Sequence, residues 1–172
     1  MQPFDDVLAS NAEYSKTFAD AGTPGRAARG LAVVTCMDSR INPLGMLGLE
    51  PGDAKILRNA GARVTDDVLR TLVLAVHLLD VDRVMVVAHT DCRMTKVTDD
   101  EVHSELLGRG LDTRSLEFHT VHDQLNVLRH DVQRIRSWPY LPRDIAVIGC
   151  VYDVKTGLVD VAVPADGAAR PA

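Results

Sequence analysis

Five side chains in this sequence can do chemistry together. Cys36, Asp38 and Arg40 follow the apolar run "LAVVT" in the stretch "AVVTCMDSRINP". His89 and Cys92 follow a second apolar run in "VMVVAHTDC". A His-x-x-Cys pair leaving a strand can bring an imidazole nitrogen and a sulfur to one point. With Cys36 it makes a Cys₂His set, and three protein ligands suit a catalytic zinc ion whose fourth tetrahedral position stays open for water. A strand-end thiol is also a common small buried hydrophobe, and a cysteine nucleophile with a histidine base uses the same residue types. Asp38 and Arg40 share the strand parity of Cys36, so extended backbone turns all three to one side. Beside a metal, the Asp38 carboxylate could accept a hydrogen bond from a bound hydroxide or ligate the ion itself. A neighbouring guanidinium would keep it ionised and oriented through parallel hydrogen bonds. An Asx-turn with a surface ion pair is the plain alternative. Cys150, in "VIGCVY", has only apolar and glycine neighbours and reads as core.

The elements that must place these residues can be read from periodicity. Residues 4–20 have helical spacing through Phe4, Val7, Leu8, Ala12 and Phe18. Residues 65–80 form the clearest helix: Thr65 stands at its start, Asp66 and Asp67 complement its positive end, and Leu69, Leu72, Val73, Val76 and Leu79 make one apolar face. Thr98 and Glu101 have capping-box spacing ahead of a short helix at 99–108. A longer helix is expected from 116 to 137, closed by Pro139 and Pro142. Apolar runs predict strands at 31–36, 55–58, 83–88 and 145–150. The last is followed by a turn at Lys155–Gly157 and an antiparallel partner strand ending at Val163. Strands alternating with helices predict an α/β fold: a mostly parallel central β-sheet flanked by helices, with a C-terminal antiparallel hairpin. In such sheets ligands gather beyond the carboxyl ends of the strands, where Cys36 and His89 both stand. Residues 1–163 read as one domain and 164–172 as a flexible tail.

The whole-chain totals remove other classes. The chain has 172 residues with 46% hydrophobic and 25% charged residues, ordinary for one globular domain. A net charge of −5 with no long basic run speaks against nucleic-acid and membrane-surface partners. No stretch of about 18 apolar residues could span a bilayer, and Asp5 and Asp6 stand where a secretory signal would be basic. Three widely spaced cysteines make a poor disulfide framework. A reducing, cytoplasmic setting is the simpler expectation.

The motifs resemble those of the β-class carbonic anhydrases. "CMDSR" followed some fifty residues later by "HTDC" carries the resemblance. "ILRNAGARVTDDVLRTL", "DDVLASNAEYSKTF" and "GCVYDVKTGLVDVAV" extend it over residues 4 to 163. The resemblance implies a zinc enzyme interconverting carbon dioxide and bicarbonate. Cys36, His89 and Cys92 would hold Zn²⁺, with Asp38 and Arg40 as the catalytic dyad orienting zinc-bound hydroxide. It also implies a homodimer or a multiple of dimers, with the helix at 4–20 packed on the partner subunit, and a closed state in which Asp38 leaves Arg40 and becomes the fourth ligand. Two alternatives follow: a carbonyl sulfide or carbon disulfide hydrolase on the same site, or a silent zinc protein that binds bicarbonate or a partner. One departure stands out. Arg93 occupies the position where the family usually has glycine after the second cysteine, and a glycine there can permit positive φ or close packing beside the metal. His77, His103, His119, His122 and His130 are the candidates for a proton shuttle.

Overall fold

The structure, a computed structural model, describes residues 2–166. Helix α1 (Asp5–Ser15) is followed by strand β1 (Leu31–Cys36) and strand β2 (Ala54–Asn59). Helix α2 (Asp66–Leu78), strand β3 (Arg83–His89), helix α3 (Asp99–Gly108) and helix α4 (Gln124–Arg136) come next. Strands β4 (Ala146–Tyr152) and β5 (Val159–Val163) close the chain. The five strands form one sheet in the order β2-β1-β3-β4-β5, with β1 to β4 parallel and β5 antiparallel to β4. This is the α/β sheet with a closing hairpin that the sequence predicts.

From β1 the chain moves outward to β2, then returns across β1 to lay down β3 on its other side. The carboxyl ends of β1 and β3 therefore flank the point where the winding reverses, the place where an open α/β sheet leaves a crevice. Cys36 is the last residue of β1 and His89 the last of β3.

The two faces of the sheet are covered unequally. On one face, Leu69 and Leu72 of α2 and Leu128, Val132 and Ile135 of α4 pack on Val34, Val86 and Val147, all nearly inaccessible to solvent. Gly149 of β4 permits the close approach of α4: a Cβ there would lie 2.9 Å from Leu128 and 3.0 Å from Val132. On the other face, Val33, Val87 and Cys150 are buried mainly by Met46 and Leu47, from a 3₁₀ turn at Gly45–Leu47, and by Tyr152. Beyond them an apolar cavity of about 320 Å³ remains, lined by Leu31, Leu47, Leu49, Met85 and Ile148.

The helix expected over 116–137 begins only at Gln124. The residues before it are claimed by a distant carboxylate. Asp99 accepts hydrogen bonds from the Phe118 and Thr120 amides (2.9 Å each) and from the Thr120 hydroxyl (2.5 Å). His119 takes a left-handed φ of 56° between them. Asp123 then caps α4, accepting from the Asn126 amide at 3.1 Å. Helix α1 is shorter than the expected 4–20 and buries none of its residues. The Thr98–Glu101 capping box forms as predicted, whereas Thr65 sits at the start of α2 without a side-chain bond. Of the tail expected at 164–172, residues 167–172 lie outside the described residues; Pro164 and Asp166 both contact Arg136. No helix among the described residues is long and apolar enough to cross a membrane.

Candidate metal centre

The two strand ends bring Cys36, His89 and Cys92 together. One ligand atom from each lies within 4.8 Å of the others, and all three residues are buried. Parallel pairing of β1 with β3 puts Cys36 beside the end of β3. The turn after β3 passes through Asp91 at a left-handed φ of 57° and swings Cys92 back under His89. Apolar neighbours Ile41, Ala62, Met46, Met94 and Tyr152 enclose the two sulfurs.

The imidazole is set for ligation. His89 Nδ1 donates to the Thr90 carbonyl at 2.9 Å. That bond leaves Nε2 as the unprotonated nitrogen, facing the sulfurs. Nε2 is also the one buried side-chain polar atom without a hydrogen-bond partner among the described residues. An orphaned buried acceptor is costly unless something fills it, and a divalent cation between two thiolates and this nitrogen would do so. The thiols agree with that reading. The Cys92 hydrogen bond, helped by His89 and the Gly61 amide, holds Cys36 below the usual thiol range, while the same contact and burial push Cys92 up. Thiolate ligation releases the thiol protons, so a metal ion would compete with protons at this pair. Zinc fits this donor set, with two soft sulfurs, one imidazole and no fourth cysteine or histidine in the cluster.

Asp38 borders the cluster, its Oδ2 lying 4.0 Å from His89 Nε2. It accepts from Arg40 Nε at 2.9 Å and Nη2 at 2.8 Å, and from the Arg40 amide at 3.0 Å. The Arg40 guanidinium therefore holds the Asp38 carboxyl well below its ordinary 3.8. Asp38 and Arg40 thus form an ion pair at the edge of the cluster.

Four further residues hold this arrangement, and sequence reading passed over them. Arg58 donates to the carbonyls of Cys36 (3.0 Å) and Asp38 (2.8 Å), fixing the backbone between ligand and carboxylate. The Gly61 amide lies 3.4 Å from Cys36 Sγ, reached through a φ of 79° that favours glycine. Gln124 Nε2 donates to the His89 carbonyl at 2.8 Å. Asp91, inside the "HTDC" motif itself, accepts from Arg40 Nη1 at 2.9 Å. For Asp91 the signal was available: a carboxylate between two candidate ligands invites the question of its counter-charge.

Arg93 is exposed and opens a 3₁₀ turn, Arg93–Thr95. The left-handed residue of this loop is Asp91, so arginine at position 93 imposes no backbone strain. None of His77, His103, His119, His122 and His130 lines the small cavity against His89 and Cys92. His77 and His103 are instead bonded to the Tyr140 carbonyl and the Thr113 hydroxyl. Cys150 is fully buried, and burial pushes its thiol up to about 11, as suits a core residue.

Comparison with known proteins gives the same direction. The carbonic anhydrase family model matches residues 31–115. β-Carbonic anhydrase 1 of Mycobacterium tuberculosis is 32% identical over 160 residues, covering 93% of this chain and 98% of its own length. The chain belongs to the β-carbonic anhydrase family. Its enzyme class is accordingly carbonic anhydrase, a lyase. The crystal structure of carbonic anhydrase from Streptococcus mutans superposes with a TM-score of 0.89 at 37% identity, covering 94% of this chain and 98% of that one. A carbon disulfide hydrolase of Acidianus is also 32% identical, over 74% of each chain.

Proposed function

We propose that this protein catalyses the zinc-dependent, reversible hydration of carbon dioxide to bicarbonate, with Cys36, His89 and Cys92 holding the ion and Asp38 and Arg40 as the catalytic pair. The observation that carries the reading is the unpartnered His89 Nε2 beside two buried cysteines and an ionised Asp38. When bound, zinc would lower the pKa of a water from 15.7 to about 7 and so supply a nucleophile near neutral pH. Asp38, kept ionised by Arg40, would accept a hydrogen bond from that nucleophile and so orient it. Arg40 fixes that carboxylate by engaging both of its oxygens. Ile41, Met46, Ala62 and Met94 give the site an apolar wall that suits a neutral, apolar substrate. Asp38 on Arg40 corresponds to the open arrangement; the closed one requires it to leave.

The assembly and setting follow on the same terms. Residues 1–163 act as one domain, and two copies associate through α1. Phe4, Val7 and Leu8 expose apolar surface, and the apolar cavity beside β1, β3 and β4 lacks a cover of its own. Three free, buried cysteines suit a cytoplasmic chain.

A second reading, hydrolysis of carbon disulfide or carbonyl sulfide at the same site, is favoured by the Acidianus relative. Stopped-flow carbon dioxide hydration beside sulfide release, on one zinc-loaded sample, separates the two. The first reading expects fast hydration and little sulfide; the reverse result would transfer the function to the second. Arg93→Gly tests the silent-protein alternative. With Arg93 exposed, its hydration rate is expected to match the native chain, whereas a large gain would mean that arginine throttles the site.

A further inference from the structure

The Arg40 guanidinium bridges the two segments that carry the candidate ligands. Its Nε and Nη2 serve Asp38, two residues past Cys36. Its Nη1 donates to Asp91 Oδ2 at 2.9 Å, and Nη2 also reaches the Asp91 carbonyl at 3.2 Å. Asp91 stands between His89 and Cys92, and its other carboxylate oxygen faces the Lys96 ammonium. Four donor contacts on one planar guanidinium fix both its position and its plane. The Arg40 side chain is 45% exposed. An arginine so exposed, held by one carboxylate alone, samples other rotamers and releases its partner with it.

Release matters here because Asp38 has a second place to go. Its Oδ2 is already 4.0 Å from His89 Nε2, so a side-chain rotation separates a carboxylate on Arg40 from one that fills the open ligand position. We propose that Asp91 is a positioning residue: it supplies the second jaw of a clamp on Arg40 and thereby keeps Asp38 on the arginine and off the metal ion. The inference rests on the metal-centre reading above. Lys96 holds Asp91 in the clamp from outside.

The test uses the full chain loaded with Co²⁺, whose thiolate charge-transfer bands report the ligand set and whose visible bands report the fourth position. Asp91→Gly removes the carboxylate and tolerates the left-handed φ; Asp91→Asn keeps the shape and removes the charge. In Asp91→Gly the charge-transfer bands are expected to persist. Its apparent affinity for added azide and its kcat on the zinc form should each fall about tenfold, the scale of one charge-assisted hydrogen bond. KM should hardly change, and Asp91→Asn should fall between. Adding Asp38→Ala to Asp91→Gly should restore azide binding without restoring activity, because the competing carboxylate is gone. Native azide affinity and kcat in Asp91→Gly, or no restoration in the double variant, would overturn the proposal. Loss of the charge-transfer bands in Asp91→Gly alone would also overturn it, making Asp91 a prop of the ligand set. Absence of those bands in the native chain would overturn the metal-centre reading, and the clamp with it.

Discussion

Cys36, His89 and Cys92 are 4%, 1% and 3% exposed, whereas α1 buries none of its eleven residues. The strand ends finish their work within one chain. Sheet register sets the ligands, Arg58 and Gly61 hold Cys36, and Thr90 fixes the tautomer of His89. The helix and its flanks do the opposite: Val7, Leu8 and Tyr14 of α1, with Phe4 before it and Phe18 after it, are all about half exposed or more. Each such side chain is worth roughly 1.5–3 kcal/mol if it is later covered. The site is thus preorganised by the fold, while the amino-terminal segment leaves its apolar side chains exposed in the single chain.

The sharpest way to break this contrast is from the site's side. Arg63 pairs with Asp131 at 2.8 Å, with side chains 15% and 2% exposed, and Asp131 also accepts from the Val64 amide. These bonds tie the loop after β2, which carries Gly61, to α4. Asp131→Ala leaves a largely buried guanidinium unpaired, and the expected loss of stability is about 3–5 kcal/mol. A urea unfolding free energy lowered by under about 1 kcal/mol would mean that the loop is held by something else.

The other region is probed by Val7→Lys with Leu8→Lys. Both positions are exposed in the single chain, so its own stability should move by less than about 0.5 kcal/mol. If two copies associate through α1 as proposed, sedimentation should show the native chain as a dimer and the double variant as a monomer, with metal retained. A dimer that survives both substitutions would detach α1 from assembly.

The smallest effect concerns the segment before α4. The Thr120 hydroxyl, with the Thr120 and Phe118 amides, lowers Asp99 from 3.8 to about 2. The folded state therefore binds fewer protons there than the unfolded state between those values. Asp99 contributes its full stability above 3.8, and that contribution is lost as pH falls toward 2. Unfolding midpoints of Asp99→Asn should depend less on pH across this window than those of the native chain. Identical slopes would remove Asp99 from the acid response.

What the sequence reveals follows the range of the interactions. Strand order apart, β1, β3 and β4 are legible because apolar runs and their punctuation are local, as are α2 and the Thr98 capping box. The candidate metal cluster is legible because Cys36 and His89 each end an apolar strand run and Cys92 follows His89 at His-x-x-Cys spacing. The false start of α4 is not, because the atoms that forbid a helix at 116–123 belong to Asp99, some twenty residues away in sequence. The Arg63–Asp131 pair and the Arg58 bonds are equally hidden, being contacts between segments that only the sheet brings together. Arg93 shows the converse: a departure from a motif that draws the eye and that the backbone absorbs without strain.

The central claim is that two sulfurs and His89 Nε2 share one ion. Metal analysis of the purified chain, beside Cys36→Ala and His89→Ala, tests it most directly. About one zinc per native chain, and near none in either variant with its fold preserved, is the expected result. A folded native chain without zinc, or variants that keep the full complement, would contradict it.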